Sequence, residues 1–154
     1  MAISDKKINF SVSEIFQKRL AQSFQGEERS NVEIAKEIGI SKDVFIRAIK
    51  YGLIPGTRSM IKIADYLEES IDYLLGLAEK PAMRKSVEEV SFSERLAELR
   101  LSCGKKYGTV AAEIGISRSQ FTTWKQKNYL PSIEICYQLS RYFNVSVDYI
   151  LGRD

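Results

Sequence analysis

The sequence contains no histidine. The commonest general base and the commonest metal ligand are therefore missing. Its two cysteines, Cys103 and Cys136, stand at no metal-ligand spacing. Free thiols, buried or half-buried, are expected there rather than a disulfide. There is no Gly-rich phosphate loop and no nucleophile–base spacing. These absences argue against an enzyme, and neither a cofactor nor a metal is expected. Apolar runs extend only a few residues, too short to span a membrane. The opening Met-Ala-Ile-Ser-Asp-Lys-Lys lacks the apolar centre of a signal peptide, so a cytoplasmic protein is expected. No alternating strand pattern appears anywhere, which leaves an all-α fold.

What the chain does contain, it contains twice. Shifted by 76 residues, Ile34–Gly76 falls on Val110–Gly152 without a gap, with 14 of 43 paired positions identical. Ala35/Ala111, Gly39/Gly115, Ser41/Ser117, Phe45/Phe121, Pro55/Pro131 and Tyr66/Tyr142 are among them. A repeat of this kind overrides the one-domain prior for 154 residues and gives two units. The expected division is 10–77, a linker over 78–91, and 92–154, after a loose arm over the first nine residues. Charge is divided unevenly. Residues 10–80 carry 10 Lys and Arg against 11 Asp and Glu, while residues 90–154 carry 9 against 6. A polyanion meets the second unit more favourably.

Apolar spacing and capping residues give each unit five short helices. In the first unit these run from about Ser11 to Phe24, from Ser30 to Gly39, from Lys42 to Lys50, from Arg58 to Leu67 and from Ser70 to Leu75. Ser30 and Glu33 have the spacing of a capping box, and Gly39 suits a tight turn. In the second unit the helices fall at about 92–102, 108–114, 118–127, 133–143 and 147–151. A small Ala lets the second and third helices approach, Gly39 or Gly115 turns the chain, and Phe45 or Phe121 pins the third helix. Phe121 and Trp124 are expected in the core. Lys36, Lys62 and Arg141 read as solvated charges. This is the layout of a helix-turn-helix.

The second unit reads Phe92-Ser-Glu-Arg-Leu-Ala-Glu-Leu-Arg, then Ala111-Ala-Glu-Ile-Gly-Ile-Ser-Arg-Ser, then Phe143-Asn-Val-Ser-Val-Asp-Tyr-Ile-Leu-Gly-Arg. It resembles the lambda-repressor-like, Cro-type or XRE-type helix-turn-helix family across nearly its whole length. The first unit matches through Ile34–Ser41, Pro55 and Ile63–Gly76. The resemblance implies two tandem five-helix lambda-repressor-like DNA-binding domains, a double-stranded DNA partner, and a transcriptional regulator, a repressor of phage or mobile-element type.

Carried over by position, the groove-facing residues are Ser117, Arg118, Ser119, Thr122 and Thr123. Arg118 suits a bidentate contact to guanine. Lys105, Lys106 and Tyr107 lie where the family touches phosphate, and Lys125 and Lys127 at the far end of the third helix can add phosphate contacts. The first-unit counterparts are Ser41, Lys42, Asp43, Ile46 and Arg47, with Ser30 and Asn31 at the phosphate-facing start. Two readers joined by 14 linker residues, a reach of roughly 45 Å, can span half-sites roughly 34–36 Å apart. Asp43 repels phosphate, and Ile46 and Ile49 are expected to leave apolar surface. They mark a homodimer or protein-partner surface, so the competing reading is an interaction module: an antitoxin, phage inhibitor or adaptor.

Overall fold

The chain is seen in a computed structural model that describes residues 10–81, 90–127 and 129–153. The expected arm over the first nine residues and the middle of the expected linker, 82–89, lie outside the described residues. Ten helices and no strand occur among the described residues: α1 (Glu14–Ser23), α2 (Asn31–Ile38), α3 (Lys42–Tyr51), α4 (Thr57–Leu67), α5 (Ile71–Leu74), α6 (Phe92–Cys103), α7 (Tyr107–Ile114), α8 (Ser119–Lys127), α9 (Ile133–Phe143) and α10 (Val147–Ile150). The chain divides into two compact units, Met1–Ala82 and Met83–Asp154.

Serine hydroxyls start most of these helices. Ser13, Ser30, Ser41 and Ser70 cap α1, α2, α3 and α5, each accepting from a backbone N–H three residues on. Ser91, Ser132 and Ser146 do the same for α6, α9 and α10. Each cap satisfies an otherwise orphaned donor, worth about 1 kcal/mol. The ends of α2, α3, α4, α6, α7 and α9 are set by left-handed residues. Gly39 and Gly115, at φ +93° and +81°, make the turn into the third helix of each unit.

The core of the first unit is built from Phe16, Leu20, Ile34, Phe45, Met60, Ile63, Ile71 and Leu74, all essentially inaccessible to solvent. Full burial of such side chains contributes roughly 1.5–3 kcal/mol each. The second unit buries Phe92, Leu96, Val110, Phe121, Trp124, Leu139 and Ile150. The 76-residue offset thus continues beyond Ile34 into the first helix. Phe16 and Phe92 share it, as do Arg19 and Arg95, and Leu20 and Leu96. Arg19 lies over the Tyr73 ring at 4.1 Å and Arg95 over Tyr149 at 3.8 Å, so both ends of each cation–π pair obey the offset. Arg19 also donates to the carbonyls of Tyr73 and Ala78. Pro81 accepts from Ser70 N–H at 2.8 Å, so residues 78–81 of the expected linker are bonded to the first unit.

Several details differ from the sequence expectation. The first helix begins at Glu14, not Ser11, because the segment before Ser13 is drawn into an antiparallel bridge between Val12 and Leu53. Ser13 N–H donates to Gly52 at 2.8 Å, and Ile54 N–H to Ser11 at 3.1 Å. Cys103 is exposed at the end of α6, whereas Cys136 is buried. Lys62 and Arg141 are exposed, in line with the solvated charges expected of them, and the Lys62 ammonium also donates to the Gly39 carbonyl at 3.2 Å. Arg141 likewise donates to the Tyr137 hydroxyl at 2.9 Å.

Gly52 holds α1 against α3. Its φ is +70°, and a Cβ there would lie 2.6 Å from the Ser13 carbonyl oxygen. Gly52→Ala is expected to destabilise the first unit by about 1–3 kcal/mol, read as a shifted urea midpoint. An unshifted midpoint would show that this contact relaxes freely.

Candidate nucleic-acid interface

The helix pair α7–α8 builds the candidate site. Val110 and Ala111 bury one face of α7, and Gly115 and Ile116 N–H both return to the Ala111 carbonyl at 2.9 Å. That closes the turn and sends the chain into α8. Phe121 and Trp124 then anchor α8, with ring centroids 5.0 Å apart, and Trp124 meets Phe92 of α6 at 5.5 Å. Both are core residues, as the spacing predicts. With these two positions buried, the residues between them must face outward.

Ser117, Arg118, Ser119, Thr122, Thr123 and Lys125 are all exposed. Ser117 accepts from Ser119 N–H at 3.3 Å, and their hydroxyls lie 2.7 Å apart. The Thr123 hydroxyl donates back to the Ser119 carbonyl at 3.3 Å, leaving its lone pairs outward. Arg118 forms no ion pair among the described residues, and its Cδ lies 3.7 Å from where a Cβ would stand on Gly108. Arg118 thus lies alongside α7 at Gly108. A groove of about 500 Å³ brings Tyr107, Arg118, Thr122 and Lys125 together with Phe121 and Gln126. Lys127 is the last residue of α8.

The start of α7 is open. Lys106 occupies the N-cap, provides no side-chain cap, and no acid stands in the first turn. Helix N-termini in this state attract anions. Lys106 is exposed beside it. Tyr107 is held face-on: its ring is 5.1 Å from Phe121 on one contact and under the Arg100 guanidinium at 4.3 Å on another.

Arg100 went unassigned in the sequence. It also donates to the Lys105 carbonyl at 3.2 Å, fixing the loop ahead of α7. The signal for it was the 76-residue offset: position 24, its counterpart, is Phe24, packed edge-on to Phe45 at 5.3 Å. An arginine in a place otherwise held by a half-buried aromatic asks for a flat partner, and Tyr107 is that partner.

Lys105 differs from its neighbours. It pairs with Glu113 at 3.5 Å and lies 5.9 Å above the Tyr142 ring. Glu113 raises the Lys105 pKa, while the Tyr142 hydroxyl and then Lys105 lower that of Glu113. The lysine is thus committed to its own unit. The first unit repeats this arrangement with Arg29, Glu37 and Tyr66, each 76 residues earlier. Arg29 binds Glu37, donates to the Tyr66 hydroxyl at 3.0 Å and pairs with Glu27 at 2.8 Å. Tyr66 donates to Glu37 at 3.2 Å.

The corresponding face of the first unit is closed. Ser30 accepts from Glu33 N–H at 3.2 Å, so α2 is capped from within, and Glu33 places a carboxylate in its first turn. Asn31, the first residue of α2, is half-buried. Ser41 is spent capping α3 through Val44 N–H at 3.2 Å. Lys42, Asp43 and Arg47 are exposed. Ile46 and Ile49 are not: both are half-buried, which corrects their expected place as open apolar surface. Among the described residues, the large exposed apolar side chains of this unit are Val12, Ile15, Val32 and Tyr51. Ile46 and Ile49 lie within one turn of Phe45 and Ala48, and the elements covering those two shelter the isoleucines in part.

Residues 96–150 match a helix-turn-helix family of the Cro/XRE kind. The matched segment spans α7, α8 and the turn between them. No curated protein and no solved structure gives a significant match. No helix among the described residues is long and apolar enough to cross a membrane.

One feature of the closed face is open to direct titration. Glu27 is held at about 2, below its usual 4.5, first by its hydrogen bond from the Arg29 guanidinium and then by Arg29 N–H. A carboxyl with a depressed folded pKa stabilises the fold above its unfolded value and loses that contribution as pH falls through the folded one. The Glu27–Arg29 contribution should therefore be complete above pH 4.5 and fade towards pH 2. In Arg29→Met, carboxyl NMR should show Glu27 titrating near 4.5 again; a midpoint that stays near 2 would remove Arg29 as the cause.

Proposed function

We propose that the chain is a sequence-specific DNA-binding regulator whose second unit reads the major groove through α8. The first unit, on this reading, is a further copy of the same five-helix fold that no longer reads DNA. The observation that carries the proposal is the uncapped, acid-free start of α7 beside an exposed Arg118 that forms no ion pair among the described residues. A DNA phosphate suits the first, and the O6 and N7 edge of guanine suits the second. Ser119, Thr122 and Thr123 add shorter contacts to base edges. Lys106 and Lys125 add phosphate contacts, and Lys127 does so by position.

The helix-turn-helix match over residues 96–150 supports this reading for the second unit. The charge balance supports it as well, since the basic excess lies in residues 90–154. Repression, of phage or mobile-element type, extends the family resemblance. Binding alone accounts for the site, so no catalysis is assigned. For the first unit the interaction-module reading is favoured by a specific observation. Its α2 is self-capped and fronted by Glu33, and Arg29 is fully engaged by Glu27, Glu37 and Tyr66.

In vitro selection of bound DNA tests the proposal and should return a single short block. Arg118→Ala should cost about 1–3 kcal/mol and relax preference at one base position. Lys106→Ala should lower the salt slope of binding by about one. Lys105→Met should leave that slope unchanged, because Glu113 already neutralises this lysine. If Arg118→Ala keeps both its affinity and its sequence preference, α8 is not the reader.

A further inference from the structure

Arg100 and Tyr107 change together between the two units. At the 76-residue offset they fall on Phe24 and Asn31. Phe24 packs edge-on to Phe45 at 5.3 Å and stacks on Tyr66 at 6.3 Å, so the scaffold is satisfied by a neutral ring at that place. The second unit puts a guanidinium there instead, with its Nε buried and no hydrogen-bond partner for it. A buried donor left without a partner costs stability, so the fold alone does not account for the arginine. What it holds is Tyr107. The ring contacts the Arg100 guanidinium at 4.3 Å and Phe121 at 5.1 Å. The bond from Arg100 to the Lys105 carbonyl at 3.2 Å ties the same guanidinium to the loop that leads into α7. Tyr107 is the first residue of α7, next to the open N-cap at Lys106, and it lines the groove with Arg118 and Lys125. Its hydroxyl makes no hydrogen bond among the described residues.

The geometry points to Tyr107 as a phosphate ligand and to Arg100 as the residue that positions it. The inference rests on the proposed DNA binding and deepens it. A phenolic hydroxyl can donate one hydrogen bond, but its ring is free to swing about two side-chain torsions. Stacking against a planar guanidinium removes that freedom before DNA arrives, so less entropy is lost on binding. Arginine suits the task better than lysine, because its flat fork matches the face of the ring. Arg100 is not itself the phosphate contact. It is half-buried, one terminal nitrogen is spent on the Lys105 carbonyl, and its Nε is buried. Arg118 and Lys125, in the same groove, make the surroundings of the hydroxyl favourable to an anion. The first unit, with Phe24 and Asn31, has neither the clamp nor the phenol.

A double-mutant cycle on the full chain is the experiment, with affinity for DNA selected by the wild type measured at several salt concentrations. Tyr107→Phe should weaken binding about tenfold and leave the salt slope unchanged, since the hydroxyl carries no charge. Arg100→Met should weaken it by a similar factor at the same slope. The double variant should bind no more weakly than either single variant, because Arg100 acts through the hydroxyl. Arg100→Lys, which keeps the charge, should bind no better than Arg100→Met. A purely structural Arg100 gives losses that multiply in the double variant, and an Arg100 that bonds phosphate lowers the slope by about one; either result overturns the proposal. So does a Tyr107→Phe protein that binds as the wild type does. That variant keeps the ring, so it remains decisive even if the Arg100 variants do not fold. Each of these failures leaves the reading of DNA through α8 standing. A wild type with no sequence preference overturns the proposed function, and this inference with it.

Discussion

One buried ring, Phe45 in the first unit and Phe121 in the second, fixes everything the outer face of the third helix can do. Phe45 is fully inaccessible and Phe121 nearly so. A helix pinned at that position has no freedom to rotate about its axis, because rotation would expose the ring and leave a cavity worth about 3–5 kcal/mol. The residues on either side of the ring are thereby assigned to solvent. Arg118, Thr122 and Lys125 point outward because Phe121 and Trp124 point inward. Position alone does not give them a role, however, and Lys42, Asp43 and Arg47 face outward for the same reason.

The difference between the faces lies in what happens to charge. Each unit places a cation, a glutamate and a tyrosine at the same offset, and in each the three converge. The cluster ties the loop before the second helix to the second and fourth helices, so it acts on the scaffold. In the first unit the loop adds Glu27 and the cap adds Glu33, and no cation is left over at the start of α2. In the second unit Lys106 replaces Ser30, Gly108 replaces Val32, and Arg100 replaces Phe24. The first of those changes removes a cap, and the third clamps Tyr107. The same backbone leaves an uncapped helix start in one unit and a capped one in the other.

Much of the fold was legible in sequence because the forces that set it are local. Ser30, Ser41, Ser70 and Ser146 cap the helices they precede, and Gly39 and Gly115 take the positive φ that the turn demands. The buried aromatics were legible from spacing alone. Less visible were contacts whose partners lie far apart in the chain. Nothing in the local pattern of Ser11 and Val12 announces a bridge to Leu53, so a helix was expected where an extended segment stands. Periodicity placed Ile46 and Ile49 off the core face but could not say that neighbouring elements half-cover them. Lys105 looked like a free phosphate ligand because Glu113 is eight residues away and Tyr142 thirty-seven.

The duplicated offset recovers part of what periodicity misses. Arg19 with Tyr73 and Arg95 with Tyr149 are separated by 54 residues in each unit, too far for any local rule. Yet each pair can be found by asking which identities recur at the same shift. Identities at the offset mark what the scaffold needs: the ring, the capping serine, the turning glycine and the arginine stacked on tyrosine. Differences at the offset mark what the scaffold tolerates, and there function has room to diverge. Arg118 against Lys42, Lys106 against Ser30 and Lys125 against Ile49 all belong to that second set. Within one chain the comparison acts as its own control, since both sequences fold under the same conditions into the same order of helices. A surface residue that is apolar in one unit and charged in the other is therefore not explained by folding, and an account in terms of what it touches is required.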